Sequence, residues 1–210
     1  MAKGKKTILF ECAVFEFNWA SFDQHRQSLI DYCYELKDKN HKITVASQSK
    51  AGLFESKFNF LDDKRPSVVA LTDFFYESLW ETVLSMNREY WDPKEPMKMR
   101  INDCWCHITE SGGYHDVHKH GTSSWSGIFY IDKAESNIDN CNGINRIYNE
   151  MSFMKTDNGL DFFTDFFNVT PEDGKLIMFP SYLMHSALTY MGNLPRIVLA
   201  FNSNTFSKPT

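Results

Sequence analysis

The chain has 210 residues, a formal net charge of −5 and a pI near 5.8. That length is ample for one domain with a sizeable core, and the acidic balance argues against a surface built to hold nucleic-acid phosphates. No apolar run reaches membrane-spanning length, and the start Met1-Ala2-Lys3-Gly4-Lys5-Lys6 lacks the apolar stretch of a signal peptide. The expected location is therefore the cytoplasm. Five cysteines form no Cys-x-x-Cys pair, and Cys104 and Cys106 stand two apart on one strand, a poor spacing for zinc, so buried thiols in a reducing compartment are expected.

Taken in order, Thr7 to Trp19 is rich in Phe, Ile, Leu and Val and reads as one or two strands. Ser21 or Asp23 can cap a helix over Phe22 to Lys39, where Leu29, Ile30, Cys33 and Leu36 recur at helical spacing. Asn40 to Pro66 reads as loop with room for one strand. A second helix is expected from Pro66 or Thr72 to about Tyr90, with Leu71, Phe74, Phe75, Leu79, Val83 and Met86 as its apolar stripe.

Strand patterns then take over: Met97 to Thr109, Tyr114 to His120 and Trp125 to Asp132. Residues 133–161 are polar and Asn-rich and read as a long excursion of the kind that covers a site. Phe162 to Thr170 reads as a strand or short helix. Lys175 to Phe179, Tyr182 to Tyr190 and Arg196 to Ser203 complete the strands, separated by Pro180-Ser181 and Gly192-Asn193. Two helices followed by seven or eight short strands imply a mainly β fold, a β-sandwich or jelly roll with the N-terminal helices packed outside its sheets. A single domain over 1–210 is expected, with supporting strands and helices in 1–96 and the jelly-roll core in 97–204.

Chemistry concentrates in His115-Asp116-Val117-His118-Lys119-His120, which holds three of the seven histidines. Strand side chains alternate faces, so Asp116, His118 and His120 are expected on one side. Two imidazoles on one face supply the first two ligands of a mononuclear metal site. His185, sixty-seven residues after His118, is the expected third, and Arg196 opens the last strand eleven residues later. His107 and Thr109 share a strand face with Trp105; core packing is the expected role for both, and lining the pocket is the alternative.

Together these residues resemble the iron(II)/2-oxoglutarate-dependent oxygenases, in particular a branch common in bacteria and phages. The resemblance runs over residues 97 to 204, about half the chain. It rests on Trp105, His118-Lys119-His120, Ser126-Gly127-Ile128-Phe129-Tyr130, Phe179-Pro180-Ser181-Tyr182-Leu183-Met184-His185 and Arg196-Ile197-Val198-Leu199-Ala200-Phe201-Asn202.

The resemblance implies a double-stranded β-helix that binds iron(II) through His118, His120 and His185. It implies 2-oxoglutarate and dioxygen as co-substrates, with Arg196 and Tyr130 holding the far carboxylate, since only Arg offers a fixed bidentate cation there. The implied reaction is hydroxylation of an unactivated C–H of a protein or peptide residue or a small metabolite, with succinate and carbon dioxide as co-products. Most relatives carry Asp or Glu where His120 stands, so Asp116 is the alternative ligand. Many also carry a hydroxyl where Val198 stands.

Two other readings compete: a three-histidine cupin-like dioxygenase that does not use 2-oxoglutarate, and a non-catalytic jelly-roll binding module with a closed structural metal. The expected partners are a small molecule, peptide or protein substrate, with no membrane and no nucleic acid. An isologous homodimer is compatible with the chain.

Overall fold

A computed structural model of the protein describes residues 12–42, 52–88, 91–92, 97–150 and 165–207. Strand β1, Phe15–Asn18, is the described part of the first strand-like stretch; residues 7–11 lie outside the described residues. Helix α1, Phe22–Asp38, buries Phe22, Leu29, Tyr32, Cys33 and Leu36 on one face. Ser21 holds the N-cap position without a side-chain capping bond, and Asp23 puts negative charge at the positive end of the helix. The segment after α1 carries strand β2, Leu53–Glu55, and a 3-10 turn at Phe60–Asp62. Helix α2, Pro66–Asn87, begins at Pro66, whose missing N–H costs nothing in the first turn.

Eight more strands follow: β3 Met97–Thr109, β4 His115–His118, β5 Trp125–Asp132, β6 Asn145–Tyr148, β7 Phe166–Asn168, β8 Lys175–Pro180, β9 His185–Ala187 and β10 Arg196–Ser207. They form two antiparallel sheets. The larger runs β1-β8-β5-β10-β3-β2 and the smaller β4-β9-β6-β7. The long strand expected over 182–190 is confined to β9. The expected excursion over 133–161 is only partly loop: β6 lies within it and pairs with both β9 and β7.

Alternation along the large sheet divides the core in two. Ile197, Leu199 and Phe201 of β10 pack with Cys104, Cys106 and Ile108 of β3, Phe129 and Ile131 of β5, and Leu176 and Met178 of β8 against α1 and α2. The intervening residues Ile128, Tyr130, Ile177, Phe179 and Val198 face the small sheet, where Ile147, Val169 and Leu183 meet them. Gly127 is needed on the helix-covered face because a Cβ there would lie 2.3 Å from Phe201 Cε1. Among the described residues, no helix is long and apolar enough to cross a membrane.

Candidate active site

The site lies between the sheets, where β4 and β9 run antiparallel. Their register pairs His118 with His185 and His115 with Ala187, so three steps on β4 match two on β9. This bulge breaks the simple alternation expected for the segment. His115 and His118 therefore lean together, with ring centroids 4.2 Å apart, and Asp116 is exposed. Asp116 belongs to neither group of converging ligand-type side chains found among the described residues.

His118, His120 and His185 form one such group. A ligand nitrogen from each lies within 4.8 Å of the other two. His120 follows the end of β4, where its backbone N–H donates to Ser181 O at 2.9 Å. A carbonyl oxygen can only accept, so the 2.7 Å contact from His118 Nδ1 to Asp116 O fixes the proton on Nδ1. His185 Nδ1 is fixed in the same way by Leu183 O at 3.1 Å. Both rings are left with an Nε2 lone pair, the form that binds metals.

Burial, reinforced by the neighbouring imidazoles His185 and His115, pushes the His118 pKa down to about 2. Burial likewise brings His185 down to about 4, with His120 adding to it, and lowers His120. The three rings are therefore neutral near pH 7. His120 Nδ1 is 3.3 Å from the side-chain nitrogen of Asn202, whose Oδ1 accepts from Ser126 Oγ at 2.9 Å. Ser126 in turn meets Ser181 Oγ at 2.9 Å.

Arg196 enters the same cavity from the head of β10, only 2% exposed. Its Nη2 donates to Asn145 Oδ1 at 2.6 Å, and Tyr130 Oη donates to the same oxygen at 2.7 Å. Its Nε is buried with no hydrogen-bond partner, and no carboxylate pairs with the guanidinium among the described residues. Burial lowers the Arg196 pKa and raises that of Tyr130 to about 12, so the pair stays an arginine cation and a neutral phenol. A buried cation without a counter-charge is costly. An anion at Arg196 would complete the cavity. That requirement and the neutral imidazole triad fit 2-oxoglutarate and a divalent metal.

His107 does not take the core role expected for it. It lines the cavity, accepts the Trp105 indole N–H at 2.9 Å and lies 2.6 Å from Glu55 Oε2. Thr109 is buried. Cys33, Cys104 and Cys106 are free, buried thiols. The sequence reading missed Asn145, Glu55 and the inward turn of His115. Asn202 was visible only as the last residue of the Arg196 motif.

Residues 103–202, just under half the chain, match the family described as "Putative 2OG-Fe(II) oxygenase". The segment that carries the site is thus that of a 2OG-Fe(II) oxygenase. This oxygenase therefore takes Fe(II), 2-oxoglutarate and O2 as its cofactor and co-substrates. No curated protein matches the chain.

Among solved structures, a prolyl-4-hydroxylase from Pseudomonas putida is similar at 15% identity and a TM-score of 0.54, over 90% of this chain and 91% of that one. HygX from Streptomyces hygroscopicus, with nickel, 2-oxoglutarate and hygromycin B bound, is similar at 12% identity and a TM-score of 0.61, over 92% and 83%. A prolyl hydroxylase from Trichoplax adhaerens, in complex with a hypoxia-inducible-factor peptide fragment, gives 10% identity and a TM-score of 0.56, over 91% and 83%. At these identities the likeness is one of fold. The fold is the double-stranded β-helix of such oxygenases.

Proposed function

We propose that this oxygenase hydroxylates an unactivated C–H of a peptide residue or small metabolite, converting 2-oxoglutarate to succinate and carbon dioxide. In this reading His118, His120 and His185 hold the iron, and Arg196 with Tyr130 receives the far carboxylate of 2-oxoglutarate. The observation that carries it is Arg196: a buried guanidinium with an unused Nε and, among the described residues, no acid beside it asks for an anion of that kind. A carboxylate accepting from two guanidinium N–H groups would make the strong bidentate pair that only Arg can form.

The chain's own groups have separable tasks. Asn145 holds Arg196 and Tyr130 to one oxygen and so fixes the guanidinium before any ligand enters. Ile128, Phe179 and Val198 form an apolar wall that keeps water from the chelating end. The carbonyls of Asp116 and Leu183 hold His118 and His185 in their ligating form. Asn202 can serve His120 either through its N–H or, with the amide turned over, by accepting from Nδ1–H. Iron(II), once bound with 2-oxoglutarate and O2, supplies the oxidising power for hydroxylation.

Three neutral nitrogens leave the iron with more positive charge than the usual carboxylate-containing set. Weaker retention of the metal is expected. Helices α1 and α2 share one core with the large sheet, which supports reading the chain as a single domain. The free buried thiols suit a cytoplasmic protein. A cupin-like dioxygenase without 2-oxoglutarate, or a closed structural metal site, would leave the charge of Arg196 unanswered.

The test is anaerobic addition of iron(II) and 2-oxoglutarate, watching for the weak visible charge-transfer band of the chelate. The band is expected with the wild type and absent in His185→Ala. Arg196→Lys should raise the 2-oxoglutarate concentration needed for half of the band by ~10- to 100-fold, the worth of a charge-assisted pair. No band with the wild type would sink the reading. An unchanged concentration in Arg196→Lys would remove Arg196 from it.

A further inference from the structure

A second group of ligand-type side chains lies beside the first. Glu55 on β2 and His107 on β3 stand opposite each other in their antiparallel pair, and the bulge in β4 turns His115 toward them. Glu55 Oε2 is 2.6 Å from His107 Nε2 and 3.7 Å from His115 Nε2. One ligand atom from each lies within 4.8 Å of the other two. The three side chains are largely shut from water, at 16%, 12% and 22% exposure.

The positions of the protons decide what these contacts are. His115 Nδ1 is 3.3 Å from Asp116 O, so Nδ1 carries a proton and Nε2 is the nitrogen turned toward Glu55. An indole N–H can only donate, and that of Trp105 donates to His107 Nε2, so this nitrogen presents a lone pair. Two imidazole nitrogens thus converge on one carboxylate oxygen, a contact that a proton or a metal cation holds together. A divalent cation at the point of convergence would take all three side chains as ligands.

We propose that Glu55, His107 and His115 bind a divalent first-row transition metal, at a second site beside His118, His120 and His185. Two imidazole nitrogens and one carboxylate oxygen suit such a metal better than magnesium or calcium, which take oxygen ligands. Metal at His107 Nε2 takes the lone pair that the Trp105 N–H now uses, so the indole must change partner on binding. The two sites share a support, because Asp116 O accepts from both His115 Nδ1 and His118 Nδ1. They also share a cavity of ≈ 180 Å³ lined by Glu55, His115, His118 and His120. A molecule in that cavity faces both.

The proposal does not depend on the iron reading, and metal counting separates the two. The full chain, stripped of metal and kept anaerobic, is titrated with cobalt(II), and bound metal per folded chain is measured after gel filtration. Two equivalents are expected for the wild type. One should remain in Glu55→Gln, one in His115→Ala and one in His185→Ala, with circular dichroism checking that each variant is folded. Trp fluorescence should change with the equivalent that Glu55→Gln removes. A wild type that binds one equivalent, lost in His185→Ala and kept in Glu55→Gln and His115→Ala, would overturn the second site and leave the first. Two equivalents surviving in both of those variants would also overturn it. One equivalent lost in Glu55→Gln and kept in His185→Ala would support this site and sink the triad.

Discussion

The two faces of the large sheet differ in what they leave unanswered. On the face under α1 and α2, Phe129, Phe201 and Leu199 are wholly buried in an apolar cluster; Phe75 of α2 packs on Phe201 and Phe129 with ring centroids 4.6 and 5.6 Å away. On the opposite face the same strands present Arg196, Tyr130, Ser126, Asn202, Trp105 and His107 to the small sheet. There a guanidinium nitrogen has no partner. Successive residues of β10 alternate between the two roles, so one strand carries stability on its odd positions and ligand chemistry on its even ones. A polar, incompletely satisfied surface can be kept inside the molecule because the other surface of the same sheet is fully packed. If that division holds, substitutions on one face should move stability and on the other ligand binding, with little crossing between them.

Phe75→Ala should test the division hardest. Removing a fully buried ring from the aromatic cluster should cost about 3–5 kcal/mol, a large part of the ~5–15 kcal/mol that stabilises a domain. The urea midpoint should fall steeply. Below the transition, the 2-oxoglutarate concentration that half-develops the charge-transfer band should stay at the wild-type value. A parallel loss of affinity would show that the aromatic layer positions the site as well as supporting it.

Asn202→Ala should do the reverse on a smaller scale. Removing the side chain that meets His120 Nδ1 and Ser126 should weaken retention of the triad metal by ~10-fold, the lower end of what such supporting groups contribute. The urea midpoint should move less than in Phe75→Ala. Metal affinity equal to wild type would reduce Asn202 to a packing residue and leave His120 without a support on its Nδ1 side.

The same contrast explains what could be read from the chain. The packed face was legible: α1, β3 and β5 lie almost where apolar periodicity puts them, because burial on one face imposes the period on the sequence. His118, His185 and Arg196 were legible as a set through their motif spacing. The bulge in β4 was not, because it is fixed by pairing with β9, about seventy residues away, and nothing between His115 and His118 announces it. Asn145 was hidden for a different reason. It sits in a four-residue strand within polar, turn-rich sequence, and its inward side chain is amide where a strand pattern calls for an apolar residue. Glu55 became visible only when β2 was placed against β3.

The smallest effect concerns how the helical layer is fastened. Arg65, at the N-cap of α2, donates to Asp63 Oδ1 from its Nε and its backbone N–H, each at 2.8 Å, and its Nη2 reaches Glu35 of α1 at 3.1 Å. The guanidinium also lies 3.8 Å from the centre of the Tyr32 ring. Hydrogen bonding from the Arg65 side chain holds the Asp63 carboxyl below its ordinary value. Its contribution is therefore fully present above the unfolded pKa of about 3.9 and lost as pH falls through the lower folded value. Both side chains are about a quarter exposed, so the pair should be worth only about 0–1 kcal/mol. The difference in urea midpoint between the wild type and Asp63→Asn should be small and constant from pH 7 to pH 5, then shrink as the pH falls below the unfolded value. A difference that stays constant from pH 5 down to pH 3 would mean that Asp63 acts through the geometry of the loop before α2, not through its charge.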